Sequence, residues 1–519
     1  MSGAGSGQVE QEHTLHGGRL AITALALAAG TFMQVLDSTI ANVSLPTIAG
    51  NLGVSPDQGT WVITSFAVAN GIGVPLTGWL MGRYGVVRTF TFSVLAFTIA
   101  SFLCGIAWSL SSLIVFRVLQ GAVSGPMIPG SQALLISIFP HEKRGTALGI
   151  WSITTLVAPI CGPILGGYIS DNYHWAWIFL INVPVGLVVS GLTWVNLKSR
   201  ETPTRKLPID TVGLGLLIVW VGALQVMLDT GKDADWFAST QIVVLSLVTA
   251  ITFVVWLIWE LTEKHPIVDL SLFKGRNFAL GTFVFCLGYA VFFAANLLMP
   301  LWLQTQIGYT ATWAGLVAAP TGVIAVLLTP MSARLMSRID ARIIATVAFI
   351  AFGVSYLMRA NFTADASFVD FMLPLLVQGI AMATFFLALI TILLDGVPPE
   401  RIPLASGLSN FCRITAGGFA ASIATTLWDR REAVHQSQLV EHTTQFSPQF
   451  QHALYGLAHL GLSDLAAKAA IMRTVISQAY LLATTDIFWI SGWICFALIA
   501  LVWLCRRAIS GGGAPVAAD

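Results

Sequence analysis

The sequence predicts an all-α integral membrane protein of fourteen transmembrane helices, built as two six-helix pseudo-repeats with an inserted two-helix hairpin. Three observations carry this expectation. The 519 residues are 56% hydrophobic and 10% charged, a balance that fits no class of soluble protein. The apolar residues gather into fourteen stretches of roughly the twenty residues that a hydrocarbon core of about 30 Å requires. Short signatures also recur in the same order in the two halves of the chain.

The spans are expected at 20–43, 60–82, 89–108, 111–138, 146–169, 176–197, 211–228, 241–259, 278–300, 311–331, 342–358, 371–394, 404–427 and 487–505. With the N-terminus taken as cytoplasmic, Lys and Arg concentrate on the inner side. This satisfies the positive-inside rule, and an even number of spans returns both termini to the cytoplasm. The first apolar run is longer than a signal-peptide core and lacks a small-residue cleavage pattern, so it reads as a retained helix. A net charge of +1 argues against a nucleic-acid partner. The six cysteines lie in or at the ends of apolar spans without a C-x-x-C pair. They read as small packing residues rather than disulfides or metal ligands.

The internal repeat rests on four matches. Asn42–Pro46 (NVSLP) returns as Asn296–Pro300 (NLLMP), and Leu80, Met81, Arg83 and Arg88 return as Leu335, Met336, Arg338 and Arg342. Gln120-Gly121 returns as Gln378-Gly379, and Gly149 as Gly407, all at nearly the same offset. The expected layout is a cytoplasmic tail over 1–19, an N-terminal bundle over 20–197, and linkers with the inserted hairpin over 198–277. A C-terminal bundle over 278–505 follows, with an outer loop at 428–486, and 506–519 forms a second tail. Proteins built from such repeats commonly place their substrate site between the halves near the midplane. The 428–486 segment exceeds the roughly 15 residues beyond which a loop is usually functional or disordered. Short amphipathic helices are expected in it, serving either as a docking surface or as a solvated cap.

Of 26 Lys and Arg and 25 Asp and Glu, only Asp37, Arg117 and Arg413 fall in the interior of the apolar stretches, Arg342 standing at the first residue of its own. A charge at bilayer depth costs at least about 2.5–3.5 kcal/mol, so it persists where it lines a cavity, finds a partner or carries a proton. Asp37 is the only acid among the three. On the first helix, Gln34, Asp37, Ser38 and Asn42 share an arc of roughly 140°. Such an arc is either the wall of an aqueous cavity or a set of interhelical hydrogen bonds. For Asp37 the functional reading is favoured, because a neutral Asn would serve structure at lower cost.

At 1.5 Å per residue, Asp37 and Arg117 both lie about 12–14 Å from the outer surface. If they face each other, Arg117 holds Asp37 ionised, and separation in another conformation favours protonation. The competing reading is a static ion pair. The run APICGPILGG contains Ala158, Pro159, Gly162, Pro163, Gly166 and Gly167. Small residues at four-residue spacing permit close helix contact and the prolines permit bending, so this is a gate or hinge candidate, with a plain packing seam as the alternative. Arg413 has no acid within its span and suits a substrate anion or backbone carbonyls. Phe292 and Phe385, with Phe293 and Phe386, are candidates for the wall of an apolar cavity, as Gln120 is for its polar part.

Arg117–Gly125 (RVLQGAVSG) resembles the fourth-helix motif of the major facilitator superfamily, and Gly162-Pro163-x-x-Gly166-Gly167 resembles the fifth-helix motif of its drug/proton antiporters. Leu36-Asp37-Ser38-Thr39-Ile40 with Asn42 and Pro46, Gly59–Phe66, and Trp177–Gly186 are similar to the fourteen-helix branch, in particular to the EmrB-type multidrug exporters of Gram-negative inner membranes. The resemblance covers nearly the whole chain. It implies a proton-driven exporter, without a cofactor, that works with a periplasmic membrane-fusion adaptor and an outer-membrane channel on hydrophobic small molecules. One departure stands out. The loop motif is present at Gly78, Leu80, Arg83 and Gly85, followed by Arg88, but its acidic position is Gly82. A gate that needs that carboxylate for an ion pair between halves cannot work the same way here, and Arg83 and Arg88 are left to cap helix ends or bind lipid phosphate.

Export of hydrophobic or weakly acidic toxic compounds is the leading expectation. An importer or symporter of an amphipathic solute with the same fold is the nearest rival, and the Gly-Pro run speaks against it. No P-loop occurs, which disfavours an ATP-driven pump. An intramembrane enzyme is disfavoured by the lack of H-E-x-x-H, of G-x-S-x-G and of paired membrane carboxylates. A sensor or scaffold on a transporter fold would be indifferent to Asp37→Asn.

Overall fold

The computed structural model describes residues 15–508 apart from 16, 55, 60, 141, 142, 205–207, 265, 442 and 445. The described residues form helices and connecting turns, without a β-strand. The N-terminal half contains α1 (Gly17–Asn51), α2 (Trp61–Gly73), α3 (Thr77–Tyr84), α4 (Val86–Gly105), α5 (Leu110–Ser124), α6 (Met127–Ile138), α7 (Arg144–Asn172) and α8 (Asn182–Leu197). The inserted pair is α9 (Thr211–Thr230) and α10 (Thr240–Thr262). The C-terminal half contains α11 (Arg276–Trp302), α12 (Ala311–Met336), α13 (Ala341–Arg359), α14 (Phe368–Leu394), α15 (Ile402–Glu441), α16 (Pro448–His459) and α17 (Asp464–Trp503).

Every stretch expected to span is helical over most of its length, on one helix or on two in succession. Eleven helices among the described residues are long and apolar enough to cross a membrane, or up to thirteen if two bent pairs each count as one span. The stretch at 404–427, on α15, is not among them, because Ser406, Ser409, Asn410 and Arg413 dilute its apolar run. The expected span at 60–82 is broken: α2 and α3 meet at 53° across Val74–Leu76. Pro75 sits in that break, where it supplies no N–H to the ladder. Gly125 and Pro126 likewise separate α5 from α6.

The segment expected as an outer loop at 428–486 is mostly helix. α15 runs on to Glu441, α17 begins at Asp464, and α16 lies between them. The expected short helices are thus replaced for the most part by continuations of the flanking spans. Trp428 on α15 lies tilted against Tyr480 of α17, ring centroids 4.5 Å apart, and donates its indole N–H to Thr484 at 2.7 Å. These contacts hold the two extensions together.

Glycine decides how closely the helices pack. Gly121 of α5 and Gly125, just past its end, lie against the backbone of α2 at Phe66 and Gly73, with no room for a Cβ. On the path between the halves, Gly149 of α7 faces Thr329 of α12, and Gly78 of α3 faces Leu404 of α15. A side-chain hydrogen bond also spans the halves, from Asn410 Nδ2 to Gln132 Oε1 at 2.9 Å. The hairpin bridges both halves: Val221 of α9 lies over Gly71 of α2, and Trp220 packs edge-on against Phe411 of α15. α10 packs on α9 and leaves most of its apolar surface facing outward.

The missing acid of the loop motif has a stand-in. Glu201, in the linker after α8, accepts from the backbone N–H groups of Val87 at 3.0 Å and Arg88 at 2.8 Å, and Thr202 accepts from Val86 at 3.0 Å. These are orphan donors at the start of α4, where a carboxylate also complements the helix dipole. Gly85, at φ +93°, presses on the same carboxyl group with no room for a side chain. Gly82 has open space around its Cα. Glu201→Ala is expected to lower the stability of the purified protein by about 0.5–2 kcal/mol, the usual cost of losing a cap. Thermal unfolding in detergent, paired with protease cleavage of the 198–208 linker, checks it.

Candidate functional site

Asp37 is fully buried at the centre of a polar cluster drawn from five helices. Its Oδ2 lies 2.6 Å from Nη1 of Arg117 on α5. Its Oδ1 accepts from Gln120 Nε2 at 3.0 Å and from Asn182 Nδ2, on α8, at 2.8 Å. Gln120 turns its carbonyl to Arg117 Nη1 at 2.7 Å and donates to Ser101 of α4 at 2.8 Å. Arg117 Nε donates to the Val62 carbonyl of α2 at 3.0 Å, and the guanidinium lies over the rings of Phe66 at 4.2 Å and Phe179 at 5.4 Å. Both carboxylate oxygens have hydrogen-bond partners, which is the condition under which a buried ion pair is tolerated.

Sequence depth brought Asp37 and Arg117 to the same level, and the folded chain puts them in direct contact. The sequence reading missed Asn182 and Ser101. Asn182 was legible in principle, being the lone amide in the run Trp177–Gly186. Ser101 was not, because one hydroxyl in an apolar helix is common and its usual partner is its own backbone.

The other members of the α1 arc divide. Gln34 is buried and its Oε1 has no hydrogen-bond partner among the described residues. Ser38 is partly exposed and donates its hydroxyl to the Val35 carbonyl of its own helix at 2.7 Å. The side chain of Asn42 lies outside the described residues.

The Gly-Pro run of α7 packs on α1 immediately beside Asp37. Gly162 presses on Thr39 and Gly166 on Ile40, in both cases too closely for a larger residue, and Gly167 faces Thr312 of α12 at ordinary contact distance. Ser170 joins Ser44 at 2.8 Å. α7 bends by 40° between Arg144–Pro159 and Ile164–Ser170, so the run is a tight seam and a bend together. The side chain of Pro163 lies outside the described residues. Among the loop residues, Gly78 packs on Leu404 and Arg83 lies near the rings of Trp79 and Tyr84 at 5.6 and 5.8 Å.

Arg413 is buried between the halves without a carboxylate partner among the described residues. Its Nη2 and Nε donate to Asn410 Oδ1 at 3.1 and 3.3 Å, and its guanidinium lies 4.4 Å from the Tyr289 ring. Asn410 is the residue that bonds Gln132 of the other half. Phe385 does not line open space: it is fully buried among Phe285, Phe352, Phe349 and Phe386, at centroid distances from 5.2 to 5.9 Å. Phe292 is partly exposed and packs on Tyr289 and Phe352 at 6.0 Å each.

Further buried charges escaped the sequence reading: Glu260, Asp340 and, most deeply, Arg359. Arg359 ends α13, one residue beyond the expected span at 342–358, yet it is 0% exposed. Its Nη2 donates to Gln378 Oε1 and to Ser355 Oγ, the latter at 3.3 Å. Gln378 in turn donates to Asn296 Oδ1 at 3.3 Å.

An all-helical bundle with a fully partnered carboxylate in its apolar depth defines a multi-span membrane transporter, and the comparisons with known proteins give its family. The family model "Major Facilitator Superfamily" matches residues 27–422. The multidrug export protein EmrB of Escherichia coli K12 is 49% identical over 506 residues, which span 97% of this chain and 99% of that protein. The fatty acid resistance protein FarB of Neisseria gonorrhoeae is 46% identical over 499 residues, spanning 96% of this chain and 98% of that one. The crystal structure of the human organic anion transporter MFSD10 (TETRAN) has a TM-score of 0.57 at 12% identity, covers 92% of this chain and all of its own, and shows likeness of fold alone. The chain belongs to the major facilitator superfamily, among its EmrB-type multidrug efflux proteins.

Removing one partner of a buried ion pair leaves an uncompensated charge. Arg117→Gln is therefore expected to cost about 3–5 kcal/mol of stability, and Asp37→Asn with Arg117→Gln less than the sum of the single changes. Unfolding of the purified variants in detergent measures the coupling, and additive costs would mean that the pair is not coupled in the fold.

Proposed function

We propose that this chain is a proton-coupled antiporter that exports hydrophobic or weakly acidic toxic compounds across the bacterial inner membrane. It would cross fourteen times, as two six-helix bundles with the hairpin between them, and keep both termini in the cytoplasm. The observation that carries this reading is the Asp37 carboxylate, fully buried and bonded to Arg117, Gln120 and Asn182. A carboxylate so placed is ionised while its cation is near and is driven to bind a proton if the cation leaves and water does not replace it.

The α1–α7 seam supplies the lever. Thr39 and Ile40 lie two and three residues past Asp37 and touch Gly162 and Gly166. A shift of α7 about its bend at Pro159 moves the α1 backbone that carries the carboxylate. Arg117 keeps the Val62 carbonyl and the Phe66 ring when Asp37 withdraws, so its charge stays solvated by the protein. Protonation of Asp37 and the position of α7 then become linked quantities. One proton crossing 100 mV supplies about 2.3 kcal/mol, enough for modest uphill export without a nucleotide or any other cofactor.

Substrate would sit between the bundles, against Arg413, Phe292 and the neighbouring rings. Export rather than import is supported by the Gly-Pro run of α7 and by relatives whose names are those of export and resistance proteins. The helical extensions beyond Trp428 supply outer surface for a periplasmic membrane-fusion adaptor leading to an outer-membrane channel, in a tripartite pump.

Asp37→Asn is expected to reduce energised export about tenfold or more at normal expression, and an uncoupler to reduce the native protein to the same level. Everted vesicles loaded by an imposed pH gradient measure this. Export that survives the uncoupler but stops on ATP depletion would falsify the reading. Arg413→Ala is expected to lower protection against fatty acids and bile salts while leaving cationic dyes unaffected. A susceptibility panel tests it, and an equal loss for both classes would remove the charge role of Arg413.

A further inference from the structure

The two halves carry their buried charges differently. In the N-terminal half, Arg117 is neutralised by Asp37. In the C-terminal half, Val291 stands at the repeat position of Asp37, and Arg359 has no carboxylate partner among the described residues. Both clusters hang on the repeated glutamine, since Gln120 and Gln378 each lie ten residues past the first residue of their helices, Leu110 and Phe368. At 1.5 Å per residue each is about 15 Å along its helix, so the two clusters lie at comparable depth.

The Arg359 guanidinium is incompletely bonded. Nη2 has Gln378 and Ser355, whereas Nε and Nη1 have no hydrogen-bond partner among the described residues. The Tyr356 hydroxyl, one turn back on the same helix, is fully buried and also without a partner. Its ring and that of Phe488 lie 5.3 and 5.5 Å from the Arg359 guanidinium carbon. Ring faces moderate a cation but accept no strong hydrogen bond, so the charge and two N–H groups stay uncompensated. An isolated buried ion carries a penalty that a partner of opposite sign must offset.

We propose that Arg359 holds a small monovalent inorganic anion of chloride size as its counter-ion, in a site made with Tyr356 and Gln378. A guanidinium offers several divergent N–H donors, and a spherical anion accepts them without the directional demands of a carboxylate. The site is closed: Arg359, Tyr356 and Gln378 are all 0% exposed. That favours a small ion over the head of an amphipathic molecule, whose tail would have to thread between packed rings. The ion neutralises Arg359 as Asp37 neutralises Arg117. This proposal stands apart from proton coupling, because it concerns the other bundle.

The test is thermal unfolding of the full-length protein, purified in detergent, in sodium chloride against sodium gluconate at equal ionic strength. A ligand that binds only the folded state raises the midpoint, here by about 2–4 °C. Arg359→Gln is expected to abolish the difference. Gln378→Glu, which places a carboxylate where the amide oxygen already meets Arg359, is expected to abolish it while keeping the higher midpoint in gluconate. Equal midpoints for the native protein in the two salts would mean an internal water only and overturn the proposal. So would an undiminished chloride response in Arg359→Gln, which locates the ion elsewhere. Stabilisation by octanoate but not by chloride, lost in Arg359→Gln, would also overturn it, since the occupant would then be an organic carboxylate.

Discussion

The contact between Asp37 and Arg117 constrains the rest of the N-terminal bundle. An ion pair in a low-dielectric interior survives only if the remaining lone pairs and protons are satisfied, and here that demand is met by several separate segments. α1 supplies the acid, α5 the guanidinium and Gln120, α8 the Asn182 amide, α4 the Ser101 hydroxyl and α2 the Val62 carbonyl. Each helix is thereby fixed in rotation and depth. The glycines that bring α2 against α5, and α7 against α1, are what let these short polar side chains reach one another.

That arrangement makes the same atoms structural and responsive. Asp37 belongs to α1, whose next residues touch the Gly-Pro run of α7, and α7 packs along α12 of the other half. Two helix seams thus run from the segment that carries Asp37 to the contact between the halves. The bond from Asn410 to Gln132, with Arg413 behind it, gives that boundary a polar element of its own. The two halves of the chain differ in charge pattern: Gln120 lies between Asp37 and Arg117, whereas Gln378 bonds the buried Arg359 of α13.

The fold was largely legible because bilayer insertion forces apolar residues into runs of a fixed length, and each such run is helical over most of its length. The errors lie where polarity and helicity part company. α15 and α17 continue beyond their apolar stretches into the segment read as a loop, since a helix that starts in the bilayer has no reason to stop at its surface unless a breaker stands there. Pro75 is such a breaker and splits α2 from α3. Glu201 is distant in sequence from the loop motif it completes, so no reading of the motif alone could find it.

The sequence by itself determined the membrane class and the approximate helix positions, and set Asp37 and Arg117 at a common level, because each of these follows from local composition and a fixed rise per residue. Only the tertiary structure decided which way the side chains turn. It joined Asp37 to Arg117 and added Asn182 and Ser101, turned Ser38 back onto its own helix, and closed Phe385 inside a cluster of rings. It also buried Arg359 at a helix end where the sequence suggested an exposed boundary. Facing is a property of pairs of helices, and the rotation of one helix against another is set by glycine contacts and ring packing spread over the whole bundle.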